Sequence, residues 1–496
     1  MAPCTLLAIA AGGLSDSGPA RQPAETPAGR FVDVTSQLGL KGLAGAKAAW
    51  RDFDGDGWSD LYVPGQLWRN VRGERFVRAD RGRIHGAGIW GDYDNDGRPD
   101  LFCWSGGPKL YRNLGRDGFA DLSKRLAEAP MKDSRGAAWG DFDGDGFLDL
   151  YVGGYERPSY QPDALYRNDG KGGFSVVWKT PGKPLPARGV TTADYDEDGD
   201  LDLYVSNYRL APNVLLRNDG SARFTDVARA AGVAGDGGLG AWGHTIGSAW
   251  GDLDDDGHLD LFVGNFSHRP AYQDRPKFYR NLGPKSGFRF ADESKRAKLA
   301  WQESFASPAL GDFDNDGDLD LLFTTVYGGD HCVLYRNDGG WAFTDVTRRV
   351  GIHGKGTYQA AWADFDRDGD LDVVLGGRLF RNELRGRHWL RVRLAGDGKA
   401  VSRDAVGAQG RLQLGKRTIT RQVGSATGEG NQNDRVLHFG LSAHTGCVVV
   451  RIRWPGGARQ TFTATPDRLV VVPYRPAPPG RSPATPRRSP AASPDE

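Results

Sequence analysis

The chain has little that would mark an enzyme, a membrane protein or a nucleic-acid binder. Its 496 residues contain only two methionines and four cysteines, Cys4, Cys103, Cys332 and Cys447. Four widely separated cysteines exclude a dense disulfide framework and a CxxC metal site, so they read as buried or incidental free thiols. Charge of one sign is also missing: 64 Lys+Arg face 63 Asp+Glu, a net of +1. A generic nucleic-acid binder would carry a basic excess. No run reaches the ~18 consecutive apolar residues of a membrane-spanning helix. The nucleophile elbow, zincin helix, phosphate-binding loop and dinucleotide fingerprint are all absent. The glycines of GDGGLGAWG (235–243) lack the strand and helix that flank a nucleotide site. Lone histidines such as His244 and His353 read as structural residues.

What is abundant is glycine, 71 residues, together with aspartate in one recurring string. The pattern D-x-D-x-D-G-x-x-D occurs seven times. It places Asp52, Asp54, Asp56 and Asp60 in the first copy, Asp92, Asp94, Asp96 and Asp100 in the second, and Asp141, Asp143, Asp145 and Asp149 in the third. Asp194, Asp196, Asp198 and Asp202 form the fourth, Asp252, Asp254, Asp256 and Asp260 the fifth, Asp312, Asp314, Asp316 and Asp320 the sixth, and Asp364, Asp366, Asp368 and Asp372 the seventh. The six intervals from Asp52 to Asp364 average 52 residues, a period that suits a four-stranded propeller blade better than a helical solenoid unit.

Each string has the logic of the first half of an EF-hand loop. Carboxylates at positions 1, 3 and 5 converge on one point, Gly at position 6 permits the sharp turn, and position 7 offers a carbonyl. Four like charges in so short a loop call for a hard divalent cation with oxygen ligands. Ca²⁺ is expected, in up to seven sites, and zinc or copper is disfavoured by the lack of His and Cys. Seven such ions would shift the formal charge from +1 to +15 and favour acidic partners, such as an anionic polysaccharide.

The EF-hand's helices are missing, and apolar β-formers such as LYV, LFC and VVL follow instead. Two residues before each loop stand Trp50, Trp90, Trp139, Thr192, Trp250, Leu310 and Trp362. After each comes a hairpin ending at Asn70, Asn113, Asn168, Asn218, Asn281, Asn337 or Asn382, and then, in six repeats, a strand opening on phenylalanine. The seventh such strand, FVDV at Phe31–Val34, precedes the first loop. The expected fold is therefore all-β: a seven-bladed β-propeller closed by its N-terminal strand, which leaves only short protected edges, followed by a small all-β domain.

The expected organisation is a signal remnant and disordered leader at 1–29, where TLLAIAAGGL resembles a secretory apolar region, then the propeller at 30–384. A β domain at 385–474 and a Pro/Ser/Arg-rich tail at 475–496 complete it. WLRVRL, AQGRLQL, RTITRQV, CVVVRIRW and RLVVV are its expected strands.

Loops carry recognition on rigid scaffolds, and four long ones fall on the face away from the Asp strings. They bear Tyr155, Arg157, Tyr160, Tyr208, Arg209, His268, Arg269, Tyr272, Arg275 and His331, a mixture of aromatic and basic residues suited to a protein or carbohydrate ligand.

The seven Asp loops with their LYRN and FTDV strings resemble FG-GAP/VCBS repeats of the integrin-α-type propeller. HWLRVRL (388–394), SRDAVGA (402–408), GSATGEGNQND (424–434), LHFGL (437–441) and RWPGG (453–457) are similar to the ASPIC/UnbV domain. That order resembles the cartilage acidic protein family, bacterial members included. The resemblance implies a Ca²⁺-stabilised protein that is secreted, periplasmic or at the cell surface, non-catalytic, and engaged in adhesion or matrix interaction. It assigns metal ligation to the Asp positions above. The alternative it leaves open is a polysaccharide lyase, a hydrolase or a biosynthetic accessory enzyme working at the loop-rich face.

Overall fold

The computed structural model describes residues 30–79, 84–127, 131–156, 159–236, 242–268, 275–354 and 356–476. The expected leader and nearly all of the expected tail lie outside these residues. The described structure is all-β, with two α-helices of a single turn, Ala228–Ala231 and Ser294–Ala297.

Residues 31–382 build repeated four-stranded antiparallel sheets, consistent with an FG-GAP propeller. Sheet two is representative: Gly88–Gly91, Asp100–Cys103, Lys109–Asn113 and Phe119–Asp121 pair in chain order. Its first two strands are buried at every residue, the third mixes buried and half-buried residues, and the fourth is half-buried to exposed. A sheet covered on both faces near one edge and bare at the other produces this gradient, and it explains why the second strands read as unbroken apolar runs. Sheets one and three to six repeat the order. Sheet seven takes Ala360–Ala363, Asp372–Leu375 and Arg378–Asn382 from the last repeat and Phe31–Asp33 from the N-terminal end, with Phe31 opposite Asn382.

Neighbouring sheets meet through aromatic residues. Phe53 stacks on Trp90 with ring centres 6.1 Å apart, and Tyr93 on Trp139 at 6.5 Å. Four of the five tryptophans that precede a loop also donate their indole N–H to the preceding sheet: Trp90 to Ala49 O, Trp139 to Ile89 O, Trp362 to Ala309 O, and Trp50 to Ala361 O in sheet seven, whereas Trp250 Nε1 is buried without a partner. These side chains are blade core, as buried aromatics with a polar handle tend to be.

The last part of the chain forms two further sheets. His388–Ala395 lies between Leu437–Ser442 (antiparallel) and Arg468–Pro473 (parallel). The second sheet runs Arg417–Gln422, Gln409–Leu414, Val448–Arg453, Arg459–Ala464. Leu390, Val392, Ile419, Phe439, Val450 and Trp454 share its core. Every strand read from the alternation here is present, together with Leu437–Ser442 and Arg459–Ala464, which that reading had not placed.

One expectation needs correction. Cys103 and Cys332 are buried free thiols, but Cys447 is disulfide-bonded. Sequence separation, the ground for expecting incidental thiols, does not limit which residues meet in the fold.

Candidate metal centres

Each Asp loop joins the first strand of a sheet to the second. Position 6 needs glycine because its φ lies between 88° and 101° in all seven loops, the region L side chains avoid. Position 4 is also left-handed, and Gly, Asn, Glu, Asp or Arg occupies it. In the first loop Asp52 accepts N–H groups from Gly55 at 2.8 Å and Gly57 at 2.9 Å, so the loop wraps around its own first carboxylate.

Position 9 has a structural task that sequence spacing did not reveal. In every loop one carboxylate oxygen accepts the N–H of position 2 and the other the N–H of the hairpin asparagine: for Asp260 these are Leu253 N and Asn281 N, both at 2.8 Å. The asparagine then spans two sheets. Asn281 Nδ2 donates to Leu259 O in its own loop at 3.2 Å and to Tyr195 O in sheet four at 2.9 Å. The same pair of bonds recurs at all seven positions, including Asn70, which donates to Phe365 O of sheet seven at 2.8 Å.

The remaining carboxylates crowd together. Ligand atoms of Asp52, Asp54 and Asp60 lie within 4.8 Å of one another, as do those of Asp141, Asp143 and Asp149, Asp194, Asp196 and Asp202, and Asp252, Asp254 and Asp260. Asp92 and Asp94 group with Asp96 at position 5 instead, and two more such groups occur among the described residues. Burial, reinforced by repulsion from the neighbouring carboxylates and opposed at Asp194 and Asp314 by nearby arginines, pushes Asp141, Asp194 and Asp314 up to about 7. Several oxygens have nothing to accept: Asp194 Oδ1, Asp252 Oδ1, Asp254 Oδ1, Asp314 Oδ2, Asp364 Oδ1 and Asp366 Oδ1 are buried without a hydrogen bond. Orphaned carboxylate oxygens in an all-oxygen donor set fit a hard divalent cation.

Arginines surround these loops. The arginine of the LYRN string reaches back to position 3: Arg112 to Asp94 at 2.7 Å, Arg167 to Asp143 at 2.5 Å, and Arg280 to Asp254 at 2.7 Å. The C-terminal module covers the same face and brings Arg391 to Asp364 at 2.6 Å, Arg453 to Asp194 at 2.9 Å, and Arg417 to Asp255 and Asp318. The basic side chains therefore do not form one free surface, and this weakens the charge argument for an acidic partner.

The module also sends a segment among the sheets. Residues 422–434 hydrogen-bond the first strand, or the residue beside it, of all seven. Gln432 pairs with Ala48 and Trp50 in sheet one and, through its amide, with Trp90 in sheet two. Ser425 Oγ accepts Trp139 N, Gln422 bonds Thr192 O and Asp194 N, and Gly428 N donates to Ser248 O. Glu429 N donates to Ser307 Oγ, and Asn433 Oδ1 accepts Trp362 N. The Glu429 carboxylate, buried, is held by Lys47 and Arg188. Glycines are required because the first strands pass so close: a side-chain carbon on Gly247 would collide with the backbone of Gly428.

Of the loop residues singled out, Tyr155 and Tyr208 lie against this ion pair, and His268 is joined to Tyr208 through His244. Arg188 packs over the rings of Tyr155 (5.7 Å), Tyr208 (5.2 Å) and Tyr358 (5.2 Å). His244 sits 4.7 Å from Tyr208 and 5.3 Å from His268, whose Nδ1 is 2.6 Å from Glu303. Arg209 pairs with Glu156 at 2.8 Å, Tyr160 is exposed, and His331 meets Gln302 through its backbone only. Arg275 accepts a bond from Asn265 through its carbonyl. Arg157, Arg269 and Tyr272 lie outside the described residues. Lys47, Arg188 and Tyr358 carried no sequence signal, since they stand far apart in the chain and outside the long loops, and Glu429 was marked only by its place in the GSATGEGNQND string.

A family model described as FG-GAP-like repeat matches residues 92–152, 155–205, 198–263, 252–323 and 312–375, more than half of the chain. One described as ASPIC and UnbV matches 398–475. Cartilage acidic protein 1 of Mus musculus is 26% identical over 425 residues, 74% of this chain and 60% of that protein. The Homo sapiens protein of the same name is 26% identical over 425 residues, 74% and 59%. The chain thus spans about 60% of the length of these curated relatives. A solved structure of an Agrocybe aegerita protein that recognises non-reducing terminal N-acetylglucosamine covers 61% of this chain and 79% of its own at 18% identity and a TM-score of 0.39, too low to carry an argument.

Proposed function

Since the chain belongs to the FG-GAP-like repeat family and carries an ASPIC and UnbV domain, we propose that it is a calcium-binding, non-catalytic, extracellular interaction protein. In this reading the seven sheets are blades of a closed ring, and each Asp loop holds one Ca²⁺ through positions 1, 3, 5 and 9. The orphaned buried carboxylate oxygens carry the proposal, because they recur in equivalent places and only a cation satisfies them together. When bound, Ca²⁺ supplies positive charge that offsets the crowded carboxylates. Binding energy of this kind adds to folding energy wherever the site exists only in the folded chain. The Asn70 to Phe365 bond and the pairing of Phe31–Asp33 with Arg378–Asn382 support closure.

The binding face is then the loop-rich one, because the module covers the Asp loops. Tyr155, Tyr208 and His268 with Arg188 supply aromatic surface and charge for a protein or carbohydrate ligand. Location outside the cell is supported by the kinship with cartilage acidic protein 1. Among the described residues no helix is long and apolar enough to cross a membrane.

Melting in excess EGTA against millimolar Ca²⁺ tests the metal reading. A markedly lower Tm without calcium is expected, and an unchanged Tm would sink it. A second reading, a polysaccharide lyase, draws on the Glu303–His268 pair beside His244. Unsaturated products from polyuronate that vanish in His268→Ala would favour it over the interaction protein.

A further inference from the structure

We propose that the C-terminal module is the outer coordination shell of the Asp loops in sheets four to seven, so that filling these loops and seating the module are one linked event. This rests on reading the loops as divalent-cation sites.

The same division of labour occurs four times. In sheet four Arg453 lies 2.9 Å from Asp194 Oδ2, while Oδ1 of that buried carboxylate accepts no hydrogen bond. In sheet five the N–H of Thr420 donates to Asp252 Oδ2 at 3.1 Å, and Oδ1 is again orphaned. In sheet six Arg387, on the segment leading into the module, holds Asp314 Oδ1 at 2.8 Å and leaves Oδ2. In sheet seven Arg391 holds Asp364 Oδ2 at 2.6 Å and leaves Oδ1.

The exposures of Asp194, Asp252, Asp314 and Asp364 are 4%, 0%, 1% and 1%, so solvent does not satisfy the free oxygens. An outer-shell donor works in this way: it occupies one oxygen of a ligand carboxylate, fixes its orientation and leaves the other oxygen for the ion. The four donors come from three stretches of the chain, at 387–391, 420 and 453. Their convergence belongs to the docked sheets rather than to one local turn.

The first three loops are served differently. The oxygens of Asp141 accept N–H groups of their own loop, from Asp145 and Gly146. The nearest recorded module cation to Asp52 is Arg393, at 4.0 Å. At the second loop the module brings an acid, Asp404, which accepts Asp92 N at 2.8 Å. Two classes of site follow, a tighter one under the module's four donors and a weaker one in the first three sheets. Linkage then runs both ways: a module that strengthens metal binding is itself held more firmly by bound metal.

The test is calorimetric titration of Ca²⁺ into the full chain and into Arg453→Gln, Arg387→Ala and Arg391→Ala, with Arg223→Ala, which breaks an exposed pair with Asp219, as the control. Limited trypsin digestion of each protein, with and without Ca²⁺, reports how firmly the module is seated. Loss of an outer-shell donor is expected to weaken one tight site about 10- to 100-fold and to speed cleavage near residue 387 in Ca²⁺. Arg223→Ala should leave Ca²⁺ binding and the digestion unchanged. Wild-type affinities in the three module variants, or equal losses in Arg223→Ala, would overturn the proposal. No Ca²⁺ binding by the wild-type chain would instead remove the loop reading beneath it. Should Arg391→Ala fail to fold, Arg453→Gln and Arg387→Ala decide.

Discussion

The asparagine clasps make ring closure measurable. Replacing Asn281 by Ala removes two donated bonds, to Tyr195 O and Leu259 O, and one accepted from Gly283 N at 3.0 Å. Asn281 is fully buried, so water does not replace them. A buried polar group left without its partner costs about 1–3 kcal/mol, and three such groups, partly relaxed, give about 4 kcal/mol. Asn70 holds a matching set, with Ser59 O, Phe365 O and Gly73 N. If sheets one and seven are clasped like the others, Asn70→Ala loses about as much as Asn281→Ala. The assay is urea unfolding at fixed Ca²⁺, followed by fluorescence of the buried tryptophans. Arg223→Ala, which breaks an exposed pair with Asp219, serves as the reference and should cost less than about 1 kcal/mol. An Asn70→Ala midpoint matching that reference, with a full loss in Asn281→Ala, would refute a closed ring.

Glu429→Gln leaves Lys47 and Arg188 buried around a neutral side chain; a loss of about 3 kcal/mol is expected, partly recovered in Glu429→Gln/Lys47→Met, and urea midpoints report it. Burial, with His268 and Arg209 nearby, lowers His244 to about 4, whereas the unfolded ring titrates near 6.5. Between these values the unfolded chain binds the extra proton, so stability falls as pH drops from 6.5 to 4, and His244→Gln should flatten that slope. Gly247→Ala, which pushes against the backbone of Gly428, is expected to lower Tm by several degrees through overpacking, and an unchanged Tm would show that the inserted segment is not held there.

The repeat, the all-β class, the seven Asp strings and the order of the two modules were legible from residue spacing alone. Turn chemistry and alternation are local, and glycine at position 6 or an apolar run after position 9 has the same meaning wherever the chain folds. The resemblance read from those strings is matched by the family models. Other features required the tertiary structure. That Asp260 and Asn281 together pin sheet five to sheet four depends on a carbonyl 86 residues away from the asparagine. Glu429 looked like one more residue in a glycine-rich string, yet it meets Lys47 across 382 positions and Arg188 across 241. Arg391, Arg417 and Arg453 of the C-terminal module, counted in the sequence as surplus positive charge, are bound to the Asp loops. Local patterns determine which elements form; which charges and donors meet is decided by packing elements that are distant in the chain, and no periodicity records those encounters.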